Sequence, residues 1–277
     1  TFTYDVDIDS PSENRSFATY RNYLAEHPGT GMLLGALTRK VYRNGETPSA
    51  TARGTGSFRY DIYNSAILFD DSDAYSYYHK SKLVPGVEII PYQNSIPWLG
   101  KLVEKFGGSP NSYGVMTHMD ALDLGGGLSV APMICYESVY GDYSRHAVLD
   151  GATFLAVITN DGWGGDTPGY HQHFRFARLR AIETRRDVAH AANTGTSGFI
   201  NQRGDVLQST GWWVKTSIRG DVHTNRHITF FTRYGDLTGR CAGILAPALI
   251  LVLLVICVSD KISGRGKSVS GNSSRRS

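Results

Sequence analysis

Cysteine is scarce in this chain: there are three among 277 residues, at positions 135, 241 and 257. They form no Cys-x-x-Cys pair and no His/Cys cluster at zinc spacing, which argues against a disulfide framework and a structural metal. Charge of one sign is also lacking. Lys and Arg number 28 against 25 Asp and Glu, a net charge of +3. Nothing therefore marks a nucleic-acid binder, and basic residues gather only between Arg175 and Arg186 and at the extreme C-terminus. No internal repeat is present. The chain opens at Thr1 with neither the basic nor the apolar stretch of a signal peptide.

What the sequence does hold is clearest near its end. "CAGILAPALILVLLVICVS", Cys241 to Ser259, carries no charge over 19 residues. That is about the length that crosses a bilayer core of roughly 30 Å at about 1.5 Å per residue. Pro247 within it is unfavourable in a soluble helix but tolerated in a membrane-spanning one. The following "KISGRGKSVSGNSSRRS" is basic, Ser-rich and free of acid, the composition of a disordered tail. By the positive-inside rule that tail is cytoplasmic, and the residues before Arg240 lie on the far side of the membrane. The expected organisation is a large domain over 1–240, a transmembrane helix over 241–259 and a basic tail over 260–277. Export of such a domain without a visible signal predicts that an upstream part is missing.

A helix is predicted from Ser16 to Glu26, stopped by His27-Pro28-Gly29. Apolar or aromatic runs at 32–37, 63–70 and 75–83 read as strands, the first two joined by a polar Gly/Pro/Thr loop. Residues 94–127 are Gly-rich and irregular around a short helix near Trp98 to Phe106. "LSVAPMICYE" (128–137) and "TFLAVIT" (153–159) are near-continuous apolar runs, the mark of strands buried on both faces, with room for a helix between them. Residues 171–186 form a helix with Phe174, Ala177, Ala181 and Ile182 on one face. Strands follow at 187–193 and on either side of a turn over Asn201 to Gly204. Strands alternating with helices predict α/β layers. Arg175, Arg178 and Arg180 are expected on a solvated face, with phosphate-headgroup contact as the sharper option, and Glu183 in a structural ion pair. His171 and His173, two apart on a helix, diverge and do not make a metal pair.

Two stretches bear on chemistry. Cys135 ends the apolar run of "APMICYESVYG" and is followed at once by Tyr136 and Glu137. A cysteine in such a run is either a small buried hydrophobe or a nucleophile at a strand end, useful only as thiolate or beside a base. In "YHKSKLVPGVE" a strand running through residue 83 puts Lys80 and Lys82 on one side, and a solvated edge is the bland alternative. Trp163, in the turn-rich "NDGWGGDTPG", either touches substrate or packs in the core.

Four stretches taken in order, "YHKSKLVPGVEIIPY", "ICYES", "ITNDGWGGDTPGYHQHFRFARLRAIETRRD" and "ANTGTSGFINQRG", resemble the nitrilase, or carbon–nitrogen hydrolase, superfamily. The nearer likeness is to its membrane branch, the bacterial apolipoprotein N-acyltransferases, and covers about residues 30 to 260. The resemblance implies a nitrilase-like α-β-β-α sandwich followed by one transmembrane helix. It implies Cys135 as nucleophile, Lys80 as the catalytic lysine, Glu88 as a supporting glutamate, and Tyr136 and Glu137 as the pair that follows the cysteine. Lys80 would favour thiolate and hold an oxyanion, and Glu88 would position Lys80. The implied reaction moves an acyl chain from a phospholipid, through a Cys135 thioester, to the amine of a diacylglyceryl-cysteine on an apolipoprotein. It needs no metal or organic cofactor and no nucleic acid. The expected setting is the bacterial inner membrane, with the catalytic domain on the periplasmic side and the protein a monomer.

One departure stands out. The family's base is a glutamate in a Trp-Pro-Glu type motif, and no such motif occurs in these 277 residues. The expectation is that it lies upstream of Thr1 and that the chain as given is nearly inactive. A membrane-tethered nitrilase-type amidase and a non-catalytic lipid- or lipoprotein-binding domain stay open as alternatives.

Overall fold

The computed structural model describes residues 3–10, 14–56, 58–70, 75–85, 87–89, 113–117, 119–162 and 167–265. The short helix expected near Trp98, the turn residue Trp163 and the basic tail from residue 266 lie outside these. Contacts divide the chain into two units, Thr1–Gly235 and Asp236–Ser277.

In the first unit, four strands form one sheet in the order β1 (Thr3–Asp7), β2 (Met32–Tyr42), β3 (Arg59–Phe69) and β4 (Tyr75–His79). β2 and β3 are an unslipped hairpin, paired from Met32 with Phe69 to Tyr42 with Arg59. Its polar loop is pinned from within the sheet. The buried Asp61 carboxylate accepts hydrogen bonds from the hydroxyls of Tyr42 (2.5 Å), Ser49 (2.7 Å) and Thr51 (2.9 Å).

The second sheet runs β10-β9-β8-β7-β6-β5. Its strands are β5 (Leu122–Gly125), β6 (Leu128–Ile134), β7 (Phe154–Thr159), β8 (Val188–Ala192), β9 (Gly198–Ile200) and β10 (Val206–Ser209). β6, β7 and β8 are parallel, which is why their sequences read as unbroken apolar runs: both faces need covering.

Alternation along β3 shows the layering. Ile67 and Phe69 pack with Phe17 and Leu24 of α1 (Arg15–Glu26), while Ala66 and Leu68 pack with Val130 and Met133 of the facing sheet. Ala147 and Val148 of α2 (Gly141–Leu149) and Ala177 and Ala181 of α3 (Pro168–Thr184) join the same core. The result is the expected α-β-β-α sandwich. An irregular segment, residues 211–229, then straps the second sheet through Asn225 N to Thr153 O (3.0 Å), Arg226 to Gly127 O (2.6 Å) and Arg186 to His227 O (2.9 Å). It ends in the short α4 (Phe230–Tyr234).

The structure corrects several details. β4 stops at His79, so Lys80 and Lys82 leave a strand end and do not share a strand face. Arg180 does not belong to a solvated face: it is buried, donates to the carbonyl of Val139 (2.7 Å) and pairs with Glu183 (2.8 Å). Ile182 is 42% exposed. It leans over Gly204, a left-handed turn glycine (φ +82°) whose Cβ would sit 2.7 Å from the Ile182 side chain.

The second unit contains α5 (Leu237–Arg265), of which Leu237–Lys261 is long and apolar enough to cross a membrane. The helix extends beyond 241–259 at both ends and carries Pro247 inside.

Burial sets a pH dependence for the first unit. It pushes His79 down to about 4 and His190 down to about 3, with Lys40 and His173 respectively adding to the effect. Both rings are favoured neutral in the fold, so their contribution is complete above the unfolded value of about 6.5 and is lost as pH falls. Between pH 6.5 and 5, the stability from urea unfolding should fall more steeply for the unaltered chain than for His190→Gln, by an extra slope that grows from about 0.7 toward about 1.4 kcal/mol per pH unit as the unfolded ring becomes protonated. Equal slopes would mean that His190 is not held neutral.

Candidate active site

Three stretches distant in sequence converge where the parallel strands end. β6 delivers Cys135 at Ile134, and the chain turns at once into a short 3-10 helix, Cys135–Val139. Cys135 itself takes φ +52°, a left-handed conformation that a side chain occupies only under constraint. A sharp strained turn between strand and helix is the geometry that lifts a nucleophile out of a sheet.

β4 delivers Lys80 in the same way. Lys80 is wholly buried, and its ammonium is held by both oxygens of Glu88, at 2.9 and 2.6 Å. A buried lysine needs such a partner to stay charged. Glu88 is fixed in turn by Asn64 Nδ2 (3.0 Å) and by the backbone N–H of Val84 (2.8 Å). The Glu88 N–H also reaches the carbonyl of Val84 (2.9 Å), and this exchange folds Glu88 back onto the lysine eight residues earlier. Lys82 does something different: its ammonium lies over the rings of Tyr140 and Tyr143, 5.1 and 5.9 Å from their centroids.

Glu137 joins the two stretches. It is fully buried, and one carboxylate oxygen accepts from Tyr78 OH (2.6 Å), Ser81 N (2.8 Å), Ser81 Oγ (3.1 Å) and Lys82 N (3.1 Å). The other accepts from Ile134 N (2.9 Å). Burial pushes this carboxyl up, and the donors pull against it. With its oxygens so occupied, Glu137 is a staple between the cysteine turn and the lysine loop.

The thiol of Cys135 is pushed up by burial, while Lys80 and a hydrogen bond with Thr159 act in the opposite direction. Cys135 lines a cavity of about 460 Å³ whose walls also include Val84, Pro85, Tyr136, Val139 and Phe176. Its lining is chiefly apolar, and its volume falls in the range of small-molecule sites.

Sequence reasoning did not place two further residues here. His173 of α3 sets Nε2 2.8 Å from the Cys135 carbonyl and Nδ1 3.0 Å from Asp161, which follows β7. Burial alone would raise Asp161, but hydrogen bonds from His173 and Thr159 hold it below the usual carboxylate range. Ligand atoms of Cys135, Asp161 and His173 lie within 4.8 Å of one another. As placed, the histidine is spent on the carboxylate and the carbonyl, which makes the trio a hydrogen-bonded chain.

A buried lysine paired with a glutamate, on a loop that Glu137 ties to a strained cysteine turn, defines a class. The carbon–nitrogen hydrolase family matches residues 46–227, and the chain belongs to that family. Among its relatives, the apolipoprotein N-acyltransferase of Chlorobaculum tepidum is 36% identical over 202 residues, 71% of this chain and 38% of that protein. The apolipoprotein N-acyltransferase of Geobacter metallireducens is 30% identical over 217 residues, 78% of this chain and 40% of that protein. The chain thus spans about two fifths of the length of these curated relatives. Among solved structures, an amidase from Nesterenkonia sp. superposes with a TM-score of 0.43 at 18% identity, covering 70% of this chain and 62% of that one.

The Lys80–Glu88 pair yields a stability prediction. Glu88→Ala strands a buried cation and should lower stability by about 3–5 kcal/mol, whereas Lys80→Met with Glu88→Leu should recover most of that loss. Denaturant midpoints of the single and double variants check it. A double variant as unstable as Glu88→Ala would show that the pair's charge is not the issue.

Proposed function

We propose that this chain carries the catalytic domain of an apolipoprotein N-acyltransferase. Cys135 attacks the acyl carbon of a phospholipid ester: the S–C bond forms, the C–O bond breaks, and the lysophospholipid leaves as alcohol with the thiol's proton. The α-amine of a diacylglyceryl-cysteine on an apolipoprotein then attacks the thioester. Its N–C bond forms, the S–C bond breaks, and a proton returns to sulfur. Lys80, kept charged by Glu88, steadies the oxyanion of both tetrahedral intermediates, and Tyr136 and Glu137 fix the nucleophile's turn.

The observation that carries this reading is the apolar cavity lined by Cys135, with Lys80 paired to Glu88 on the loop that Glu137 ties to the cysteine turn. An acyl chain suits that cavity, and the names of the relatives point to the same chemistry. α5 supports a membrane setting. The basic composition after it supports a cytoplasmic C-terminus, and hence a catalytic domain on the periplasmic side of a bacterial inner membrane. The proton acceptor remains to be supplied. Glu137 is engaged by donors, Glu88 by Lys80, and no Trp-Pro-Glu motif occurs in the 277 residues. The chain alone is therefore expected to show no turnover with phospholipid.

The test bypasses the missing base. An activated fatty-acyl ester with a good leaving group, supplied at alkaline pH, should acylate Cys135, as read by mass spectrometry of the intact chain and its peptides. Cys135→Ala should stay unmodified. A diacylglyceryl-cysteine peptide should then discharge the thioester faster than water does. Discharge to water at the same rate would favour an amidase-like hydrolase, and no adduct at all would favour a binding domain. Lys80→Met should move the pH midpoint of Cys135 alkylation upward, because the cation that favours thiolate is gone. An unmoved midpoint would remove Lys80 from the site.

A further inference from the structure

Cys135 occupies a backbone conformation that its own side chain disfavours, so something must hold it there. Glu137 fixes the approach through Ile134 N. The exit is fixed from the other side. The Cys135 carbonyl receives Ser138 Oγ at 3.1 Å and His173 Nε2 at 2.8 Å. A carbonyl only accepts, so Nε2 must be the donor. The ring cannot swing away, because Nδ1 meets Asp161 Oδ1 at 3.0 Å, and Asp161 is itself tied to Thr159 Oγ1 at 2.8 Å. Both nitrogens thus face acceptors, with Ser138 Oγ also 2.9 Å from Nε2. His190 of β8 faces the same ring, with centroids 5.7 Å apart. His173 is 9% exposed, so its polar atoms have no easy alternative in water.

We propose that His173, oriented by Asp161, is a positioning residue. By donating to the Cys135 carbonyl it holds the strained turn so that the thiol points into the apolar cavity. It acts through the backbone of the nucleophile and does not take the thiol's proton: its Nε2 is directed at the carbonyl oxygen, and its Nδ1 at a carboxylate. A chain of three elements, the end of β7, the side of α3 and the 3-10 turn, therefore sets the aim of one sulfur atom. The proposal rests on Cys135 being the nucleophile.

Two electrophiles separate aim from mere accessibility. Iodoacetamide is small and reports thiolate in any orientation, whereas α-bromopalmitate must lay its chain in the cavity before sulfur displaces bromide. Both rates are measured on the 277-residue chain in detergent micelles, against pH, for the unaltered chain and for His173→Leu, His173→Gln and Asp161→Asn. Thermal unfolding is followed alongside. His173→Leu should slow α-bromopalmitate by about tenfold or more relative to iodoacetamide, the scale expected when a reacting atom is misplaced by a fraction of an ångström to an ångström. The pH midpoint of iodoacetamide alkylation should not move. His173→Gln, whose amide nitrogen can still donate to the carbonyl, should restore the ratio to within about threefold of the unaltered chain, and Asp161→Asn should fall between.

An unchanged ratio in His173→Leu overturns the proposal, as does a His173→Gln variant no better than His173→Leu. A shifted midpoint would make His173 a proton acceptor and overturn it too. If the unaltered chain reacts at Cys135 with neither reagent, the nucleophile reading fails instead. Unfolding would free the thiol to iodoacetamide and lower the ratio by itself, so a ratio that falls only in variants whose unfolding midpoint drops below the assay temperature overturns the proposal as well.

Discussion

A single buried carboxylate decides whether this domain has a site. Glu137 lies two residues after the cysteine, yet it binds the amides of Ser81 and Lys82, directly after the lysine, together with that of Ile134, directly before the cysteine. Neither stretch is regular structure at that point: β4 has ended at His79 and β6 at Ile134. Backbone N–H groups freed by two strand ends would be costly to bury unpaired. One carboxylate satisfies all three and sets the separation of the two stretches as it does so. The segment after Lys80 and the turn at Cys135 are tied together because their backbones share a hydrogen-bond acceptor.

The charges around this staple are arranged so that each has an occupation. Glu88 neutralises Lys80, and Asp161 is held ionised by His173 and Thr159. Arg180 closes onto Glu183 while donating to carbonyls of the 3-10 turn. Among these described groups, none stands ready to remove a proton from the thiol, and burial raises that thiol further.

Much of this was legible in the sequence because it rests on period and order. The unbroken apolar runs gave β6 and β7, the apolar run at 63–70 marked the second half of β3, and the likeness of four spaced stretches to one family supplied the sandwich and the pairing of Lys80 with Glu88. Strand ends were harder. Nothing local distinguishes His79 from Lys80 as the last strand residue, and the lysine's direction depends on a glutamate eight positions on and a carboxylate in the distant 3-10 turn. Arg180 looked like a surface residue by its charge, and only the carbonyls of Ser138 and Val139, supplied by the 3-10 turn, explain why it is buried. His173 was weighed as a metal ligand because spacing along a helix is visible, whereas the carbonyl it reaches is set by the left-handed twist at Cys135, for which the letters carry no signal.

The strap over the second sheet gives the domain a timetable. Gly162, beside Asp161, lies where any side chain would collide with Trp213, itself held at φ +56° with its N–H on Gly195 O. Asn225 and Arg226 close the edge of the same sheet. Chains are made from the N-terminus onward, so cysteine, lysine and glutamates all emerge from the ribosome before the residues that lock the loop next to them. The residues that pack against Gly162 are therefore among the last translated ahead of the apolar helix, and a nascent chain paused before Trp213 would carry all six strands of the second sheet with the strap not yet laid across them.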